Sequence, residues 1–134
     1  MDLGIAGKVA FVVGGSKGIG LEAARMLAAE GCRTVVVART QRHIDAAVQA
    51  IEDAGGTATG ISADMTSRDD IARAVATATE IFGSPQIVIT QADFHVRGFF
   101  EEIEDDEAFV ESFRAYTMSQ VHILRAVLPG MKAA

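Results

Sequence analysis

The 134-residue chain holds one cysteine, one tyrosine, two prolines and no tryptophan. With Cys32 alone, no intrachain disulfide can form, and no Cys/His spacing resembles a zinc site, so no metal ligands are expected. That usage suits a reducing cytoplasm. Cys32 lies just ahead of an apolar run and reads as a small buried hydrophobe. No apolar run reaches about 18 residues, so no membrane span is expected. Asp2 beside Met1, with no long apolar core before Lys8, predicts no secretory leader. A surplus of positive charge is missing too. The net charge is −6, and Glu101, Glu102, Glu104, Asp105, Asp106 and Glu107 account for that imbalance, since acidic and basic residues stand at 12 each elsewhere. No basic stripe or arm is left to neutralise a nucleic-acid backbone, so nucleic acid is not an expected partner.

What is present is apolar residues, 49% of the chain, enough for one domain with a core over residues 1–134. They alternate between two patterns. Val9 to Val13, Thr34 to Ala38, Thr57 to Ala63 and Gln86 to Thr90 are short apolar or β-branched runs, the mark of strands buried on both faces. Between them come stretches of helical spacing: Ile19 to Glu30 stopped by Gly31, a helix capped by Thr40 and ended by Gly55-Gly56, and one opened by Thr66 or Ser67 and ended at Gly83-Ser84-Pro85. A last, long helix from about Asp106 carries Phe109, Phe113, Tyr116, Gln120, Ile123, Leu124, Val127 and Leu128 on one side, with Pro129-Gly130 expected to close it. The acidic cluster before it reads as a solvated loop and helix start, where carboxylates suit the helix dipole. The order β-α-β-α-β-α-β-α predicts an α/β fold of the Rossmann type, a doubly wound parallel sheet of about four strands with helices on both faces. Binding is then expected at the carboxyl ends of the strands, near the switch point beside the first.

Gly14, Gly18 and Gly20 stand at that point, between the first strand and the first helix. Their spacing, Gly-x-x-x-Gly-x-Gly, differs from the Gly-x-Gly-x-x-Gly fingerprint, but the strand-turn-helix context is the one that gives such a motif meaning. A tight turn needs positive φ, and a phosphate approaches closest to a backbone without Cβ, above a helix N-terminus whose N–H groups point at it. The turn lacks the Lys-Ser/Thr ending of a triphosphate loop. Arg39 follows the second strand, where a site for NAD usually has Asp or Glu to bond the ribose 2′-OH. A cation there suits a 2′-phosphate, and Lys17 supplies a second. The reading is therefore NADP, with NAD the weaker ligand.

Val13-Gly14-Gly15-Ser16-Lys17-Gly18-Ile19-Gly20, the Val35 to Thr40 run, Ala63-Asp64-Met65-Thr66 and Arg125-Ala126-Val127-Leu128-Pro129-Gly130-Met131 together resemble the N-terminal half of a short-chain dehydrogenase/reductase, with 3-oxoacyl-carrier-protein reductase-like members nearest. The resemblance covers essentially the whole chain. It implies reversible hydride transfer between a nicotinamide cofactor and a carbonyl or alcohol. By position it places Gly14, Gly18, Ile19 and Gly20 around the diphosphate, and Ser16, Lys17, Arg39 and Thr40 at the adenosine ribose and its 2′-phosphate. Asp64 and Met65 fall at the adenine, and Ala92 in the segment beside the ribose and nicotinamide.

The departures carry as much information. Thr90-Gln91-Ala92-Asp93 stands where the family has Asn-Asn-Ala-Gly, so Asp93 brings bulk and charge to the cofactor's side. Tyr116 stands where the family has its catalytic Asn, and its place on the apolar side predicts core packing. The family's catalytic Ser and Tyr-x-x-x-Lys fall on later segments, and no Tyr-x-x-x-Lys occurs in this chain. In that chemistry the Tyr exchanges the proton while the Lys lowers its pKa. No catalytic residue is therefore assigned. His43 and His122 read as helix-surface residues and His95 as a loop residue. The expected function is the cofactor-binding part of an NADP-dependent oxidoreductase, inactive by itself. The alternative is a non-catalytic Rossmann-like interaction or regulatory module. With the fourth strand at an edge and Phe and Leu side chains left open, a homo-oligomer through that edge or the long helix is expected.

Overall fold

The computed structural model describes residues 1–92, 96 and 98–134. Asp93 and His95, singled out above, lie outside the described residues. The elements are β1 (Val9–Val13), α1 (Gly18–Ala29), β2 (Arg33–Ala38), α2 (Gln41–Asp53), β3 (Thr57–Ser62), α3 (Arg68–Phe82) and β4 (Ile87–Thr90). A short 3-10 turn at Phe100–Glu102 precedes α4 (Asp106–Phe113), a π-helical turn (Arg114–Met118) and α5 (Ser119–Ala133). The four strands form one parallel sheet in the order β3-β2-β1-β4, so the chain reverses direction across the sheet beside β1. This is the Rossmann-type order expected from the alternating pattern, and it puts the glycine turn at the switch point.

Both faces of the sheet are covered, which explains why the strands read as unbroken apolar runs. Phe11 and Val13 of β1 with Val35 and Val37 of β2 pack against Ile71 and Ala74 of α3 and Ile123 and Val127 of α5. Val12 and Val36 face the other way, onto Ala24 and Ala28 of α1 and Ala47 and Ile51 of α2. Cys32 is buried, and burial pushes its thiol above the usual range, in keeping with a hydrophobe's role. Asp105 is the N-cap of α4, its carboxylate accepting from the Glu107 N–H at 3.0 Å, so part of the acidic cluster serves the helix start.

Two expectations for the long helix fail. Pro129-Gly130 does not close it, since α5 continues to Ala133 with Pro129 inside. Gly130 serves approach instead of termination: a Cβ there would sit 2.9 Å from Ser84 Oγ, so glycine lets α5 lie against the turn before β4. Nor do the apolar residues expected on one side of it share a buried face. The buried stripe is Ala115, Ser119, Ile123 and Val127, while Phe109, Phe113, Tyr116, Leu124 and Leu128 are exposed. The π turn, whose wider i→i+5 winding shifts the phase of α4 relative to α5, accounts for Phe109 and Phe113, whereas Leu124 and Leu128 lie on α5 itself, one residue past the buried Ile123 and Val127. Tyr116 is 43% exposed, so core packing is not its role.

Candidate functional site

The strand register builds the site. Val13 is level with Val37 and with Thr90, and Val37 with Ile61, so the chain leaves four neighbouring strands along one edge of the sheet. The segments that follow, starting at Gly14, Arg39, Ala63 and Gln91, surround a cleft of about 290 Å³.

Gly14 makes the first turn. Its φ is +75°, its N–H donates to Val37 O at 2.8 Å, and any Cβ would collide with the Gln91 carbonyl oxygen. Gly20, one turn into α1, is held as tightly: a Cβ there would strike the Gly14 carbonyl oxygen. Its N–H donates to Gln91 Oε1 at 3.0 Å. These two glycines exist for backbone on backbone. Gly18 differs, since φ is +52° yet a Cβ would meet nothing within 4 Å. The vacant space above Gly18 opens on the cleft at the start of α1, and Lys17, the N-cap residue, makes no side-chain capping bond there. A dinucleotide fits this arrangement: the helix pole faces the cleft and the glycine leaves its approach clear.

Of the residues assigned from the sequence, Gly14, Ser16, Lys17 and Gly18 line the cleft from the glycine turn. Arg39 and Thr40 line it from the loop after β2, Asp64 and Met65 from the loop after β3, and Ala92 from the segment after β4. Ile19 and Gly20 do not. Ile19 is 78% exposed, and Gly20 is buried beneath the turn. Thr40 is the N-cap of α2 by position, but its hydroxyl makes no capping bond, contrary to the sequence reading. The α2 start is thus another helix pole facing the cleft without a side-chain plug. Asp64 is occupied locally: its Oδ1 accepts from Thr66 N at 2.9 Å and Thr66 Oγ1 at 2.7 Å. Its own N–H donates to Asp70 Oδ2 at 2.9 Å. That bond, followed by the Arg73 guanidinium, holds the Asp70 carboxyl below its ordinary range.

Of the further cleft-lining residues that the sequence did not assign, three bear on the site's shape or chemistry. His43, taken for a surface residue, lines the cleft beside Lys17 and Arg39. It lies in the first turn of α2, directly after the loop that carries Arg39 and Thr40. Gln91, noted only as a departure, caps Gly20 through its side chain and bonds Val13 O through its N–H at 3.0 Å. Ala115 reaches the cleft from the π turn, a distortion without a sequence signal. Among the described residues, no group of three or more His, Cys, Asp or Glu side chains is placed to hold a metal ion, and no helix is long and apolar enough to cross a membrane.

Residues 8–134 match the short chain dehydrogenase family. The chain belongs to that family. It is 44% identical over 84 residues to the short-chain reductase protein NovJ of Streptomyces niveus, covering 63% of this chain and 32% of that protein. It is 32% identical over 130 residues to human dehydrogenase/reductase SDR family member 4, covering 96% and 46%. The L-sorbose reductase of Gluconobacter frateurii, solved with NADPH and L-sorbose, superposes with a TM-score of 0.92 at 30% identity, over 99% of this chain and 51% of that one. This short-chain dehydrogenase chain therefore spans about half the length, or less, of the proteins it matches. The matches establish an oxidoreductase family whose solved members include complexes with NADPH.

Proposed function

We propose that residues 1–134 form one dinucleotide-binding domain of an NADP-dependent short-chain reductase. The single observation that carries the cofactor is the convergence of Lys17 and Arg39 on one cleft, over a turn left clear at Gly18. The α1 start at Gly18 receives the diphosphate, while Ser16, Lys17, Arg39 and Thr40 receive the 2′-phosphorylated ribose. The Arg39 fork matches phosphate oxygens pairwise, which a ribose hydroxyl cannot repay. Asp64 and Met65 border the adenine, and Ala92 the ribose on the nicotinamide side. The bound nicotinamide supplies hydride exchange with a carbonyl or alcohol. This chain contributes binding without turnover, since it holds no Tyr-x-x-x-Lys to exchange the proton.

Calorimetric titration of the 134-residue chain tests the reading. NADP is expected to bind more tightly than NAD by roughly 10- to 100-fold, and Arg39→Ala to abolish the difference. Equal affinities in the unsubstituted chain, or a preference that survives Arg39→Ala, overturn it.

A second reading, a module that keeps the fold for interaction alone, is favoured by Tyr116 in the π turn and by Gln91. Binding of neither nucleotide at millimolar concentration supports that reading. Self-association belongs to both. Among the described residues β4 pairs with β1 alone, and the α4–α5 face exposes Phe109, Phe113 and Leu124, so a homo-oligomer forms through that edge or that face. Light scattering that shows a monomer at high concentration removes it.

A further inference from the structure

His43 is a half-buried histidine in the first turn of α2, and it shares the cleft with Lys17 and Arg39. Among the described lining residues only Asp64 is an acid to offset that concentration of positive charge. The first turn of α2 carries no acid, and Thr40 leaves the helix pole without a side-chain cap. Lys17 faces His43 from the glycine turn, Arg39 from the loop after β2, and Arg42 from α2 itself, with Arg42 Nη2 at 3.4 Å from His43 Nε2. The one acid lining the cleft is Asp64, from the loop after β3, and its Oδ1 is engaged by Thr66. Such a site gains most from an occupant that is anionic and accepts several hydrogen bonds.

We propose that His43 is a third phosphate-contacting residue of this site, donating in its imidazolium form to the 2′-phosphate that Lys17 and Arg39 bind. This rests on the NADP reading above and adds a proton to it. Without ligand, partial desolvation and then the charges of Lys17 and Arg42 hold the imidazole below its ordinary value of 6.5, so the free site is mostly neutral at that residue near neutrality. A phosphate reverses the sign of the local field and raises that value. Binding therefore takes up a proton. The added affinity is fully present below the free-state value and is lost as pH rises through the value in the complex. Protonation of the phosphate itself, whose second pKa is about 6, weakens binding at the acid end regardless of His43. NAD, lacking the phosphate, gains nothing from the imidazolium.

The test is calorimetric titration of the 134-residue chain with NADP and with NAD from about pH 6 to pH 8.5, beside the His43→Gln and His43→Lys variants. In the unsubstituted chain NADP affinity should rise by roughly fivefold more towards acid than in His43→Gln. His43→Lys should hold the acid-side affinity across the range. Titrations in two buffers of different ionisation enthalpy should show proton uptake with NADP that His43→Gln loses and that NAD never shows. Superimposable profiles for the chain and His43→Gln, with NADP still preferred to NAD, overturn the role of His43 and leave the Arg39 reading standing. No NADP preference at any pH overturns both.

Discussion

The two sides of the sheet are built to different standards. β1 is buried over its whole length and β2 over Thr34 to Val37, with helices sealing both faces, whereas every residue of β4 is half-buried. Phe11, on β1, has no exposure, while Phe113, at the end of α4, is 54% exposed. The glycine turn and Arg39 hang from β1 and β2, and the Asp64 loop from β3, where Ile61 is the buried residue. The π turn, Tyr116 and the exposed phenylalanines belong to the β4 side. The cofactor cradle is thus anchored in a core that this chain completes by itself, and the side on which the family's proton chemistry is expected leaves an apolar face bare.

Truncating the same residue type on both sides measures that contrast. Phe11→Ala should destabilise the chain by about 3–5 kcal/mol in urea denaturation, because a ring packed against two helices leaves a cavity that the sheet cannot collapse. If it costs no more than an exposed phenylalanine, the sealed core is not where stability resides.

The glycines give the next largest effect and separate folding from binding. Gly20→Ala should cost about 2–3 kcal/mol, since its Cβ meets the Gly14 carbonyl and no flexible side chain can yield. Gly18→Ala should cost about 1 kcal/mol, the strain of a left-handed conformation without any clash, yet it places a methyl where the diphosphate approaches. Urea midpoints and NADP titration on the pair check this. A Gly18→Ala chain that binds NADP normally shows that the space above the turn is not the phosphate's.

Those glycines also mark what was legible in advance. The alternation of buried runs and helical stretches gave a parallel sheet with its switch point beside β1, because a sheet covered on both faces demands continuous apolar strands. Lys17 and Arg39 were readable because the site's place in such a sheet follows from topology. Tyr116 was misplaced for a physical reason: periodicity assumes one helical winding, and the π turn changes it in mid-helix. Pro129-Gly130 was misread because Gly130 answers to Ser84, far away in sequence. His43 was passed over because an exposed helix start gives no apolar signal at all.

A smaller effect, confined to acid, comes from the loop that carries Asp64. Asp70 accepts from the Asp64 N–H and from its neighbour Arg73, and its carboxyl lies below the ordinary 3.8 in the folded chain. A depressed carboxylate stabilises above its unfolded value and loses that contribution as pH falls through the folded one. Asp70→Asn should therefore lower the urea midpoint at neutral pH and converge with the unsubstituted chain as pH falls below 3.8 and through the folded value. Parallel midpoints from about pH 2.5 to 7 show that the bond does not hold the loop.

The smallest effect on stability is expected on the bare side, and it decides what that side is for. Phe113→Ser removes a ring that is already half in water, so the urea midpoint should shift by no more than about 0.5 kcal/mol. The ring is one of several apolar groups exposed along α4 and α5, with Phe109, Leu124 and Leu128, and an uncovered set of that kind favours association with another surface. Light scattering on the variant should show a smaller mean mass than the unsubstituted chain at equal concentration, with NADP affinity unchanged. The reverse pattern, an unchanged mass with a lost midpoint, places Phe113 in the fold and makes the two sides alike.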